Sequence, residues 1–100
     1  MIQEVKIVNN QVHVALSGNI YVEESSAIRE QLLQYIEKGH KDFRISLTAV
    51  HYIDSSGLGV LVAIHKRAVQ NGGGVVIEGL HGAVRELFEL TRLTRVFKIV

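Results

Sequence analysis

Within six residues, His51 and Asp54-Ser55-Ser56 bring together the side chains of acyl-transfer and phosphoryl chemistry. A hydrolytic triad needs a base within hydrogen-bond reach of the nucleophile and an acid that orients the base. Adjacent Asp and Ser side chains diverge, and neither serine has the G-x-S-x-G surroundings of a nucleophile elbow, so hydrolysis is the weakest reading. The same run is also what a helix N-terminus asks for, because Asp and Ser oxygens accept the unpaired N–H groups of the first turn. Such a cap explains the residues with no further role. A helix N-terminus also favours anions, and a serine placed there can carry a phosphate that changes the local charge by about −1.5 to −2. The run therefore reads as a cap, or as a cap that doubles as a reversible modification site or an anion site. Spacing does not choose between the two serines, and on a helical wheel Ser56 is the more outward.

Other candidate chemistry is thinner. Gly72-Gly73-Gly74 leaves a helix and enters a strand, the wrong polarity for a phosphate cradle, and reads as a helix C-cap and turn. The five histidines, at 13, 40, 51, 65 and 81, form no H-x-x-x-H pair; with no Cys and only two Asp they suggest no metal site. His65 reads as a packed residue with its nitrogen satisfied. Arg85, Arg92, Arg95 and Lys98 form a basic cluster balanced by Glu86 and Glu89, a solvated face. Eleven Lys and Arg against ten Asp and Glu leave a formal charge of +1, which argues against direct nucleic-acid binding. The longest apolar run, from Gly57 to Ile64, is too short to span a bilayer, and the first residues lack a signal-peptide pattern. A cytoplasmic protein with no membrane insertion, disulfides or cofactor is expected.

The elements that must position Asp54-Ser55-Ser56 follow from periodicity. One hundred residues, 47% of them apolar, make one small domain over 1–100. Val5 and Ile7, then Val12, Val14 and Leu16, alternate on either side of Asn9-Asn10, which predicts a β-hairpin whose second strand ends at Gly18. Ile28, Leu32, Tyr35 and Ile36 predict a helix over roughly 23–38. Phe43, Ile45 and Leu47 give a third strand, followed by a short loop and a second helix from Asp54-Ser55-Ser56 to about Gln70. Val75-Val76-Ile77 reads as a buried strand. A third helix over about 82–91 turns Val84, Leu87, Phe88 and Leu90 inward, and 96–100 forms a last strand. The order β-β-α-β-α-β-α-β implies an α/β fold with a mixed, mostly parallel sheet of about five strands, an N-terminal hairpin and three helices.

On the second helix, Leu58, Leu61, Val62, Ala68 and Val69, widened by Ile64 and His65, form the stripe expected to face the sheet. The opposite face carries Ser56, Gly59, Ala63, Lys66 and Gln70. Glycine inside a helix costs about 0.8–1 kcal/mol relative to Ala. Gly57 and Gly59 thus need a reason: close helix-to-sheet packing, or close approach by another molecule.

The run Ile53-Asp54-Ser55-Ser56-Gly57-Leu58-Gly59-Val60 closely resembles the signature of the STAS domain, and within it the anti-sigma factor antagonists. Gly72-Gly73-Gly74 and Arg85-Glu86-Leu87-Phe88-Glu89-Leu90-Thr91 extend the resemblance along the chain. It implies a non-enzymatic binding protein. Unphosphorylated, such a protein binds an anti-sigma factor that is also a serine kinase, and sigma factor is released. Phosphorylation of the first serine after the aspartate, here Ser55 with Ser56 as the alternative, ends the interaction, and a PP2C-type phosphatase restores it. Asp54 and Gly57-Leu58-Gly59 are expected to shape the site, with Ser56, Gly59, Val60, Ala63 and Tyr21 as further partner-binding candidates. Relatives often carry a Gly-Glu-Leu-Asp-like segment where this chain has Gly18-Asn19-Ile20-Tyr21, so Tyr21 stands at a usually acidic position. Two other uses of the fold remain open: a constitutive scaffold or transporter-associated subunit in which the serines only cap, and a nucleotide or anion-binding module.

Overall fold

The computed structural model describes residues 1–100. Strands β1 (Ile2–Val8) and β2 (Gln11–Ile20) are followed by helix α1 (Val22–Glu37), β3 (Asp42–Ile53), α2 (Ser55–Gln70), β4 (Gly74–Glu78), α3 (Gly82–Leu90) and β5 (Lys98–Ile99). Asn9 and Asn10 both adopt left-handed backbone, with φ of 51° and 67°, which is the geometry a two-residue hairpin turn needs. β1 pairs antiparallel with β2, and β2 to β5 run parallel.

The strands lie side by side in chain order, β1-β2-β3-β4-β5. Right-handed crossovers that always step in one direction put every helix on the same side of the sheet. Side-chain alternation follows. Val12, Val14 and Leu16 of β2, Phe43, Ile45 and Leu47 of β3, and Val75 and Ile77 of β4 point to the helices and are buried. They form one core with Ile28, Leu32 and Ile36 of α1, Leu58, Leu61 and Ile64 of α2, and Val84 and Phe88 of α3. The other face is polar and open, and there Arg44 and Glu78 make an ion pair at 3.3 Å.

Several expectations are corrected. β2 does not end at Gly18; it continues to Ile20 through irregular pairing with β3. No loop separates β3 from α2, because β3 runs to Ile53 and Asp54 is already the cap. Leu90 is 81% exposed: it lies six residues beyond Val84, about 240° around the helix from the inward stripe. Val69 is likewise exposed, and Val76 is only half-buried because it faces the open side. The last strand shrinks to Lys98–Ile99 because Phe97 turns into the core, its ring centroid 5.1 Å from that of His65 and 6.0 Å from that of Phe88.

Candidate functional site

The site is built where β3 gives way to α2. Beyond Ser46, β3 has no β4 partner and pairs with β2 alone, to Ile53 opposite Ile20. The Asp54 amide then donates to the Ile20 carbonyl at 3.1 Å, so Asp54 and Tyr21 leave the sheet as neighbours. Ligand sites in parallel sheets characteristically lie beyond the carboxyl ends of the strands, where this junction sits.

Asp54 has extended backbone (φ −95°, ψ −176°) and caps α2. Its Oδ1 accepts from the amides of Ser56 at 3.0 Å and Gly57 at 3.1 Å, and from the Ser56 hydroxyl. The Ser56 hydroxyl, foremost, and these amides hold the Asp54 carboxyl below the usual carboxylate range, with partial desolvation opposing them. The cap is therefore a fixed negative charge, one oxygen of which is directed into the helix.

The two serines differ. Ser56 is half-buried, and its Oγ also lies 3.1 Å from the Oγ of Ser25, one turn into α1. Ser55 occupies the first helical position, is exposed, and takes no part in these bonds. The helical-wheel expectation is thus reversed: Ser55 is the outward serine. The reason is Asp54, which turns Ser56 inward toward its own oxygen.

The two glycines separate as well. A Cβ on Gly57 would stand 2.5 Å from Ile53 Cγ1 and 3.0 Å from Ile20 Cγ2, so this glycine lets α2 descend onto the ends of β2 and β3. Gly57 and Leu58 are buried and shape the site from beneath rather than facing outward. A Cβ on Gly59 would meet nothing within 4 Å, and the residue is exposed. No packing within the chain requires a glycine there. Ala63, one turn further along that face, is half-buried.

Val60, expected on the outer surface, is 8% exposed. It sits with Ser25, Ile28 and Leu61 in the seam between α1 and α2. The buried arc of α2 is wider than one stripe because α1 covers it as well as the sheet. Tyr21 is outward and 46% exposed, its ring 5.8 Å from that of Tyr52, which is 44% exposed. Sequence reasoning missed Tyr52 and Ser25. The burial rhythm of β3 changes from two to three after Leu47, through Val50 to Ile53, so strand alternation gave no signal for Tyr52. Ser25 reads as an ordinary polar helix residue, yet it is 2% exposed, the one polar side chain fully inside.

His65, on the far half of α2, is as expected a packed residue. Its Nδ1 accepts from the Val75 amide at 3.1 Å, and burial lowers its pKa. No helix is long and apolar enough to cross a membrane.

The STAS domain profile matches residues 3–100. The anti-sigma-B factor antagonist of Bacillus subtilis strain 168 is 36% identical over 96 residues, covering 96% of this chain and 87% of that protein. A Thermotoga maritima crystal structure, provisionally described as an anti-sigma factor antagonist, superposes with a TM-score of 0.91 at 28% identity, covering 96% of this chain and 83% of that one. The Bacillus cell fate determinant SpoIIAA, solved in its phosphorylated form, shares the fold with a TM-score of 0.80 at 18% identity, over 100% of this chain and 91% of that one. From a profile that runs nearly end to end and a relative alike over almost its whole length, the chain belongs to the STAS domain family, among the anti-sigma factor antagonists.

Proposed function

We propose that this protein is a partner switch: unphosphorylated, it binds an anti-sigma factor that is also a serine kinase, freeing a sigma factor, and phosphorylation of Ser55 ends that binding. A PP2C-type phosphatase resets it. The role is binding rather than catalysis, and the compartment is the cytoplasm. The observation that carries the reading is the division of labour at the start of α2, where Asp54 and Ser56 are spent on the cap and Ser55 is left outward at the first helical position.

The physical logic is electrostatic. The dipole of α2 favours a phosphate at that position, so the fold tolerates it. A group of about −1.5 to −2 then stands beside the Asp54 carboxylate, itself held ionised. The docking surface would run from Ser55 over Gly59 and Ala63, with Tyr21 and Tyr52 as an aromatic flank; Gly59 lets a partner's backbone come close. Tyr21 gives that flank an apolar body with a polar tip, where an acidic residue would offer charge. A partner seated there excludes water, and burying an unpaired phosphate costs several kcal/mol.

The test is binding of the anti-sigma factor kinase encoded in the source genome, with phosphosites mapped by tandem mass spectrometry after ATP is added. Ser55→Ala should bind whether or not ATP is present. Ser55→Asp should bind at least about 100-fold more weakly, since each 1.4 kcal/mol is a factor of ten. Wild-type affinity in Ser55→Asp would sink the mechanism.

A further inference from the structure

Ser25 is the one fully buried polar side chain, and nothing in the capping of α2 or the proposed switch uses it. Its hydroxyl lies 3.1 Å from Ser56 Oγ, and the Ser56 hydroxyl donates to Asp54 Oδ1. A hydroxyl has one proton. Ser56 gives its proton to Asp54, so Ser25 must donate to Ser56, and the three side chains form a directed chain from α1 through α2 to the cap. We propose that Ser25 is a positioning residue that holds the Ser56 hydroxyl on Asp54, so that of two adjacent serines only Ser55 is open to phosphoryl transfer. The inference rests on the phosphorylation reading above and adds the reason for the choice of serine.

The chemistry explains why the chain matters. In phosphoryl transfer the serine Oγ forms a bond to the γ-phosphorus of ATP, the bond from that phosphorus to the β–γ bridging oxygen breaks, ADP leaves, and the hydroxyl proton passes to a base on the kinase. Ser56 offers neither requirement freely: its proton is directed to Asp54, and one oxygen lone pair receives the Ser25 proton. Its half-buried position against α1 also limits access for the γ-phosphate. Ser55 is exposed and has no part in the chain. Two helices therefore cooperate in the selection, α2 by supplying both serines and α1 by occupying one.

Two readouts on wild type, Ser25→Ala and Ser25→Thr test this. The first needs no kinase: Hα–Hβ couplings by NMR report the side-chain rotamer of each serine. Ser56 should hold one rotamer in wild type, average among rotamers in Ser25→Ala, and be restored in Ser25→Thr, which keeps the hydroxyl. The second is the ratio of phosphoserine at 56 to phosphoserine at 55 after treatment with the anti-sigma factor kinase and ATP. That ratio should rise about 2- to 12-fold in Ser25→Ala, the factor one net hydrogen bond is worth, and fall back in Ser25→Thr. A general loosening of the fold would raise modification of both serines and leave the ratio unchanged. An unchanged Ser56 rotamer in Ser25→Ala overturns the positioning role, as does an unchanged ratio in protein phosphorylated at Ser55. Absence of phosphate from every serine of the wild type overturns the switch and the selectivity with it, while the couplings still decide whether Ser25 holds Ser56.

Discussion

The two ends of α2 are both rich in glycine, and they use it differently. At the C-terminal end the chain must turn at once into β4. A Cβ on Gly73 would stand 1.9 Å from the Lys41 carbonyl oxygen, which accepts the Gly74 amide at 2.9 Å. That glycine is fully accounted for by the backbone beside it. At the N-terminal end, Gly57 is accounted for in the same way by Ile53 and Ile20, but Gly59 is not. A glycine bears on function only where the packing around it leaves it unexplained. One end of α2 is a joint between elements; the other keeps a residue that costs helix stability and gains nothing within the chain.

Substitution at each glycine tests whether packing holds it. Gly73→Ala should have the largest effect, because the obstructing atom is backbone and cannot rotate away. A loss of about 3 kcal/mol or more is expected by chemical denaturation, and a loss below about 1 kcal/mol would mean that the Lys41 backbone does not require glycine at 73. Gly57→Ala should cost about 1–3 kcal/mol, since buried Ile53 has to shift. Gly59→Ala should change sign, raising stability by about 0.5–1 kcal/mol while weakening binding to the anti-sigma factor kinase. If Gly59→Ala bound the partner normally, Gly59 would carry no docking role and the N-terminal end would need another account.

The smallest effect is in pH. His65 has a lowered pKa when folded, so the unfolded chain takes up its proton first as pH falls. Its contribution is complete above the ordinary histidine value of about 6.5 and is lost as pH drops below it. Asp54 is also lowered, but its contribution persists to the ordinary carboxylate value of about 3.9 and is lost as pH falls further through the folded value. Melting curves of wild type and His65→Phe should therefore diverge in pH dependence between about pH 5 and 7 and run parallel above that window. Parallel curves throughout would mean that His65 is not desolvated by the fold.

Much of this architecture was legible in residue types alone. Asn9-Asn10 marked the hairpin, the alternation in β2 and β3 marked the core face, and Asp54 and Asn71-Gly72 bounded α2. The site was legible as a place, because a cap and two glycines at the start of one helix are local signals. What escaped was everything decided by a second element. Val60, a partner-surface candidate, is buried because α2 packs on both the sheet and α1, and the second contact leaves no periodic signal in α2 itself. Ser55 and Ser56 exchanged their expected exposures because the Asp54 oxygen and Ser25, 31 residues before Ser56, turned one of them inward. Leu90 fell the other way, since a short helix at the edge of the core buries only the side that carries Val84 and Phe88.

The strand order has a consequence for how the protein is made. Because each strand is laid beside the one that precedes it in the chain, the sheet can grow at one edge as the polypeptide emerges from the ribosome, with no earlier strand having to part to admit a later one. The residues that form the cap, the serine chain and the proposed docking face all lie between Ile20 and Ala63, ahead of β4. The switch is thus complete in sequence before β4, and the elements that follow close the core beneath it.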